Sequence, residues 1–292
     1  MLYNYMVNFF ESSNCKYLIL AVLIIMFIII IKLKSNIDNF NQNIIPKTIY
    51  LCYKTKDVPS YIISNWKLLN PEYKIIVSDN NDCIKFLKDN YGQKYVDIFN
   101  HIKDGPIKAD FWRVCILYKY GGVYSDIDIE PLVPIKNFFE KDVSFLSCIS
   151  MNENMLNPHF IITYAGHPIL KKSIYKYIEY YDTKKKYTYW GWSIVYIMED
   201  VVHDIFKEYY NKDGIYTDKD NNKYQFLKEI STPSVHDIYC EYKGVKILNN
   251  RYKKYDPDNH NFDINITNKD TIFSTSVKST KKFIMNIYKK IF

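Results

Sequence analysis

The sequence predicts an α/β fold with a central, mostly parallel sheet, and three observations carry that reading. Runs of strand-forming residues alternate with runs of helical period from residue 44 onward, the pattern of a sheet covered by helices. At 292 residues, 48% hydrophobic and 17% aromatic, the chain can bury one large core, which excludes global disorder and a small disulfide-stapled module. Glycine is scarce, eight in all, and two of the eight are adjacent at Gly121-Gly122, where a helical run gives way to a strand.

Residues 44–53 (IIPKTIYLCY) are β-rich and predict a first buried strand. Pro59 opens a helix over 60–69, whose Ile62, Ile63, Trp66 and Leu69 recur at helical spacing, and Asn70-Pro71 ends it. A second strand, 74–78 (KIIVS), is followed by N-cap chemistry at 79–82 and a helix with Ile84, Phe86 and Leu87 on its inner side. Gly105-Pro106 starts a helix over 107–120 that stops at Gly121-Gly122, and the short strand Val123-Tyr124 runs into Asp126-Ile127-Asp128. Further strands are expected over 144–149, 160–164 and 245–248, with helices over 168–181 and about 193–209 and polar, Tyr-rich loops beyond 211. Ligands of such sheets bind at the carboxyl ends of the strands.

Ahead of this domain, 17–31 (YLILAVLIIMFIIII) is uncharged between Lys16 and Lys32. As a helix it spans about 22 Å, short of the roughly 30 Å hydrocarbon core unless the flanking lysines snorkel. No small-x-small cleavage site follows, so a single transmembrane anchor is expected in place of a cleaved signal peptide. The organisation is then a tail over 1–16, an anchor over 17–31, a linker over 32–43 and one domain over 44–292, held on an internal membrane such as that of the Golgi or ER.

Charge is 39 Lys/Arg against 32 Asp/Glu, a formal +7, and residues 241–292, with 11 basic against 5 acidic, hold most of the excess. A near-neutral body lacks the broad positive face that nucleic acid requires. The final 281–292 (KKFIMNIYKKIF) gathers Phe283, Ile284, Ile287 and Ile291 on one helical side, which fits a helix packed on the domain or one lying on an anionic membrane. Cys52, Cys83, Cys115 and Cys148 fall in apolar or helical contexts and Cys240 in a loop, without disulfide-framework spacing, which predicts reduced thiols.

Alternate positions on an extended segment would turn the Asp126 and Asp128 carboxylates to the same side, just past the glycine turn. Two such groups suit a hard divalent cation that also holds phosphate oxygens and screens a diphosphate leaving group; the competing reading is a pair of solvated surface acids. The flanking Val123, Tyr124, Ile127 and Ile129 would bury the other face, setting the acids at a strand end. One helix upstream, Asp110 and Arg113 at i, i+3 share a face, as a structural ion pair does.

The stretch 107–132, IKADFWRVCILYKYGGVYSDIDIEPL, resembles the signature of DXD-containing sugar transferases, glycosyltransferase family 32, and is similar to the catalytic core of the large clostridial glucosylating toxins. Ile45-Pro46-Lys47-Thr48-Ile49-Tyr50 resembles the family's first strand, and Trp66 with Asn70-Pro71-Glu72-Tyr73 its following helix and turn, so the resemblance covers 44 to about 170. It implies a GT-A-like nucleotide-sugar-binding fold, a nucleotide-diphosphate-sugar donor, a hydroxyl acceptor on a glycan, lipid or protein, a Mn²⁺ or Mg²⁺ cofactor, and retention of anomeric configuration. Carried over position by position, Asp128 matches the acid that ligates the metal directly, and Asp126 the one that reaches the donor ribose and the metal shell. Asp110 and Arg113 match residues that hold the donor sugar and its phosphate, with Arg113 also stabilising the departing diphosphate. Tyr124 joins the implied donor contacts, as do Tyr50 and Tyr53 as stacking platforms for the base, although those two tyrosines equally fit the core. His167-Pro168 matches a Gly-His-Pro turn that opens the next helix.

The chain departs from the family pattern at 274–282 (STSVKSTKK), where members carry His and Trp; only Ser279 matches, and Asn259 or His260 would have to substitute as a ligand. The leading expectation is a membrane-anchored, metal-dependent retaining transferase of a hexose or N-acetylhexosamine. The altered segment motivates a rival, a catalytically weakened protein of the same fold that binds a glycan or a partner. A metal-dependent phosphoesterase is disfavoured, because no further His/Asp cluster offers a second metal site.

Overall fold

A computed structural model of the chain describes residue 17 and residues 20–31, 44–151, 155–206, 212–231, 238–252, 255–256 and 261–262. The chain divides into two units, Met1–Ile44 and Ile45–Phe292.

In the first unit, residues 20–31 are helical and apolar on every face, and every one of them is exposed. Among the described residues no helix is long and apolar enough to cross a membrane, so the expected span over 17–31 is not shown. At 1.5 Å per residue, 20–31 extends only about 18 Å. The tail, the linker 32–43 and Cys15 lie outside the described residues.

The second unit opens as the sequence predicts. Strands β1 (Thr48–Cys52), β2 (Lys74–Ser78) and β3 (Gly122–Ser125) are parallel, in the order β2-β1-β3. Helix α1 (Ser60–Leu69) joins β1 to β2, and α2 (Asn80–Tyr91), α3 (Gln93–His101) and α4 (Gly105–Tyr120) join β2 to β3. Asp79 caps α2 in a full capping box with Asp82, which is why the helix starts where it does. Because β2 lies on one side of β1 and β3 on the other, the chain reverses its direction of winding at β1, and the carboxyl ends of β1 and β3 are where sheets of this kind place a ligand crevice.

The remainder corrects the expectation of a mostly parallel sheet. The short strand β4 (Glu130–Pro131) is followed by β5 (Val143–Ile149), β6 (Leu156–Thr163), β7 (Gly214–Thr217), β8 (Lys223–Ser231), β9 (Ile238–Tyr242) and β10 (Val245–Asn249). They complete a ten-stranded mixed sheet, β2-β1-β3-β6-β5-β8-β9-β10-β4, with β7 on β8; beyond β1–β2 and β1–β3 only β5–β8 is parallel. The connections from β5 to β6 and from β9 to β10 are too short to cross over, which dictates antiparallel pairing. Lys243 and Gly244, at φ 51° and 75°, form the two-residue hairpin turn between β9 and β10. Among the described residues beyond 211, a stretch expected as loops with short strands, most are in strands, and Cys240, expected in a loop, is buried in β9. A separate hairpin pairs β11 (Tyr255–Asp256) with β12 (Asn261–Phe262).

Helices α5 (Pro168–Asp182), α6 (Tyr189–Trp192) and α7 (Ile194–His203) follow β6. His167 caps α5 by accepting the Ile169 N–H, the structural role expected of the Gly-His-Pro turn. Two cores result. Tyr50, Phe111, Trp112, Tyr124, Tyr177 and Trp192 belong to one, while Ile49, Leu51, Trp66, Val123 and Phe160 belong to the other. Alternation along β1 and β3 thus sends successive residues to opposite sides of a sheet buried on both faces.

Candidate active site

Gly121 and Gly122 set the position of the site. Their φ angles are 65° and 106°, and a Cβ on Gly121 would stand 2.6 Å from the Ala165 nitrogen, one on Gly122 2.8 Å from the Thr48 oxygen. Only glycine lets α4 end and β3 begin this close to its neighbours. The chain leaves β3 at Ser125 and enters a turn closed by the Ile129 N–H donating to the Asp126 carbonyl at 3.2 Å. Asp126 and Asp128 therefore sit on a turn, not on the extended segment expected, because Ile127 and Ile129 fold back into the core beneath it. The main chain of the turn is tied on both sides: Asp126 N–H donates to the His159 carbonyl at 2.8 Å, and Tyr252 N–H donates to the Asp128 carbonyl at 2.9 Å.

Behind the turn lies Arg113 of α4. Arg113 Nη2 meets Asp110 Oδ1 at 2.7 Å and Asp126 Oδ1 at 2.9 Å, with side-chain exposures of 4%, 8% and 30% for Arg113, Asp110 and Asp126. Nη1 donates to the Pro158 carbonyl at 2.6 Å, and the guanidinium lies 4.4 Å from the centre of the Tyr124 ring. Tyr124 OH donates to Asp126 Oδ1 at 2.7 Å, and the Ile194 N–H at the start of α7 donates to Asp110 Oδ2 at 3.0 Å. The i, i+3 pair expected between Asp110 and Arg113 is present, and it extends to Asp126. A buried guanidinium is tolerable only with its hydrogen bonds largely filled in this way.

These bonds orient Asp126. Its Oδ1 takes two donors, whereas among the described residues Oδ2 takes none, so Oδ2 is the oxygen left to meet a ligand. Asp128 is half-buried, and burial first, then the charge of Asp126, push its carboxyl up to about 7. Burial likewise pushes Asp110 up to about 6 against the pull of Arg113 and the Ile194 N–H. Asp110 and Asp126 thus share one guanidinium, while Asp128 feels the charge of Asp126 with His159 and Arg251 pulling the other way; a divalent cation between Asp126 and Asp128 would relieve the repulsion of that pair. Hard oxygen donors of this kind fit Mn²⁺ or Mg²⁺.

The other expected site residues are placed as follows. Tyr50 is buried against Trp112, edge to face with centroids 6.4 Å apart, and Tyr53 is half-buried just past the end of β1. Ser279, Asn259 and His260 lie outside the described residues. Cys52, Cys83, Cys115, Cys148 and Cys240 are all free thiols, as expected.

Sequence reasoning missed a second polar cluster next to this turn. Cys240 Sγ lies 3.5 Å from Cys148 Sγ and 3.4 Å from His159 Nε2, all three side chains being buried. His159 Nδ1 faces Glu229 Oε1 at 3.6 Å. Burial opposes charge at Cys148, yet the Cys240 S–H and the His159 ring pull the thiol down to about 7, and the sulfur and Glu229 in turn hold the imidazole up near 10. The local sequence signal is a lone histidine after Pro158, which lies in β6 because that strand starts at Leu156 and not at 160 as expected.

The chain has an α/β domain with a turn of paired aspartates backed by a buried Arg–Asp contact. Residues 57–145 match the family described as glycosyltransferase sugar-binding region containing DXD motif, which bears out the resemblance read from 107–132. The chain is 30% identical over 152 residues to mannosyl phosphorylinositol ceramide synthase SUR1 of Saccharomyces cerevisiae, an alignment covering 48% of this chain and 36% of that protein. It is 25% identical over 171 residues to the initiation-specific alpha-1,6-mannosyltransferase of Candida albicans, covering 48% of this chain and 44% of that one. The chain therefore spans less than half the length of these relatives. Among solved structures, PaToxG glycosyltransferase aligns over 59% of this chain and 76% of its own, with a TM-score of 0.42 and 16% identity.

Proposed function

We propose that this chain is a metal-dependent, retaining glycosyltransferase of GT-A-like fold, which moves a hexose or N-acetylhexosamine from a nucleotide-diphosphate sugar to a hydroxyl acceptor. The observation that carries the reading is the Asp126–Asp128 turn, two carboxyls of which one repels the other, inside the region that matches the family. Mannose stands first among the sugars, because the relatives are named as mannosyltransferases or as the synthase of a mannosylated lipid. A lipid or glycan acceptor follows from the same names.

In this reading Asp128 and the Asp126 Oδ2, to which no described residue donates, would hold Mn²⁺ or Mg²⁺, whose positive charge would screen the departing diphosphate. Arg113 acts as a positioning residue: both terminal nitrogens are occupied by protein acceptors, and they decide which oxygen of Asp126 faces outward. Asp110 anchors Arg113 to the start of α7, and Tyr124 completes the hold on Asp126. Tyr53, at the crevice end of β1, is better placed than the buried Tyr50 to stack on a base. Among the described residues no side chain stands out as a nucleophile, so in this reading the acceptor hydroxyl attacks on the face the diphosphate leaves, with a donor phosphate oxygen accepting its proton. The exposed apolar helix at 20–31 supports single-pass attachment to an internal membrane.

The test is a donor-hydrolysis screen with Mn²⁺ against GDP-mannose, UDP-glucose, UDP-GlcNAc and UDP-galactose, with Asp128→Asn as control. Turnover of one donor, lost on chelation and in the variant, is expected. Metal-dependent donor binding without turnover would leave a binding protein, and undiminished turnover in Asp128→Asn would remove the metal assignment.

A further inference from the structure

Four polar side chains that the transfer chemistry does not use converge beside the aspartate turn, from four different strands. Cys148 stands on β5, His159 on β6, Glu229 on β8 and Cys240 on β9; Cys148 lies opposite Leu227 and Cys240 opposite Glu229 in the ladders. The two sulfurs and the imidazole nitrogen all lie within 4.8 Å of one another, away from solvent. An apolar core has no use for such a group unless something satisfies it.

We infer that Cys148, His159 and Cys240 form a structural zinc site, chemically distinct from the oxygen site at Asp126 and Asp128. The distances carry this. With Zn–S bonds of about 2.3 Å and Zn–N bonds of about 2.0 Å, a tetrahedral site has edges of roughly 3.8 Å between sulfurs and roughly 3.6 Å from sulfur to nitrogen. The observed Cys240–Cys148 and Cys240–His159 separations, 3.5 Å and 3.4 Å, lie within a few tenths of an ångström of those edges, and all three atoms lie within 4.8 Å of one another. Asn250 Oδ1, 3.4 Å from Cys240 Sγ, is a candidate for the fourth ligand position, directly or through a water.

The outer contacts match as well. A histidine that ligates zinc through one nitrogen directs the other N–H at a carboxylate. His159 presents Nε2 to the sulfurs and Nδ1 to Glu229, and Nδ1 is buried without a hydrogen bond at 3.6 Å, a contact that a small rotation of the ring onto a metal would close. Glu229 is itself held by Asn157 and Asn250. A disulfide is the poorer explanation of the paired sulfurs: β5 and β9 flank β8, two strand spacings or roughly 9 Å apart, beyond the about 7 Å that a disulfide spans. Two thiolates and an imidazole select zinc over Mn²⁺ or Mg²⁺, and binding releases the thiol protons. The consequence reaches the turn through the backbone, since the carbonyl of His159 accepts the Asp126 N–H. An ion here fixes the strand end against which the aspartates are set.

The full chain, expressed in zinc-supplemented medium and purified without chelator, is expected to carry one zinc per molecule by elemental analysis. Replacing that zinc with Co²⁺ is expected to give a sulfur-to-cobalt charge-transfer band in the near ultraviolet and tetrahedral d–d bands in the red. Asp128→Asn should retain both signals, the Cys148→Ser/Cys240→Ser variant should lose them, and Glu229→Gln should weaken zinc by about 10–100-fold against a chromophoric chelator. The cobalt spectrum of the unmutated chain decides the matter even where the double variant fails to fold. A chain that binds no zinc, or gives a cobalt spectrum without the charge-transfer band, overturns the inference, as does full zinc affinity in the folded double variant.

Discussion

Replacing Asp128 with Asn separates an ion-binding carboxylate from one that merely packs. Burial, then the charge of Asp126, raise the Asp128 carboxyl from 3.8 to about 7. An acid whose pKa rises on folding holds its proton more tightly in the native state, so in the metal-free protein stability falls as pH climbs from about 4 to about 7, with the full cost standing above 7. At about 1.4 kcal/mol per tenfold change in ionisation, that cost is bounded near roughly 4 kcal/mol, and water reaching a half-buried carboxylate reduces it to about 2 kcal/mol. Asn keeps the shape and removes the charge. In EDTA at pH 8, Asp128→Asn is therefore expected to melt about 4–8 °C above the parent, with the gain fading toward pH 4. Mn²⁺ should reverse the order, since only the parent gains stability with ion concentration. Melting curves followed by circular dichroism at pH 4, 6 and 8, with and without Mn²⁺, measure all of this. A variant that melts below the parent at pH 8 in EDTA would mean that the carboxylate makes a stabilising contact, and the reasoning would fail.

Arg113→Met strands Asp110 as an unpaired buried charge and should cost about 3–5 kcal/mol in urea denaturation, with much of the loss recovered in Asp110→Asn/Arg113→Met. Arg113→Lys should not rescue it, because one ammonium cannot reach Asp110, Asp126 and the Pro158 carbonyl together. Gly92 and Gly121 share a positive φ, but a Cβ on Gly92 meets nothing within 4 Å, whereas one on Gly121 meets backbone at 2.6 Å. Gly92→Ala should thus cost only the backbone strain, about 1–3 kcal/mol, and Gly121→Ala clearly more, both read from urea midpoints.

The first half of the domain was legible because its signals are local. Asp79 and Asp82 announce the start of α2, the apolar period of 60–69 gives α1, and the scarce Gly121-Gly122 pair marks the handover to β3. The acid pair and the Asp110–Arg113 spacing were visible for the same reason. The second half was not, because its strands are defined by partners far along the chain. In β8, the Lys228 and Glu229 side chains read as polar surface until Ser150, Asn157 and Asn250 are seen to bond them. Likewise nothing in 156–159 says that Cys148 and Cys240 will meet His159.

The same long-range pairing explains why a surface turn can hold its shape. β3 runs parallel to β1 but antiparallel to β6, so at its carboxyl end the next residue, Asp126, finds the incoming end of β6 on one side and the crevice beside β1 on the other. From β6 come the two carbonyls that the site uses, Pro158 for Arg113 and His159 for the Asp126 N–H. A fully parallel sheet would place the carboxyl end of a neighbouring strand there, followed by a loop free to wander. The change of strand direction at β3 therefore supplies acceptors from β6 behind the aspartates, and so the departure from the expected parallel sheet is what ties down the main chain of the aspartate turn and its arginine.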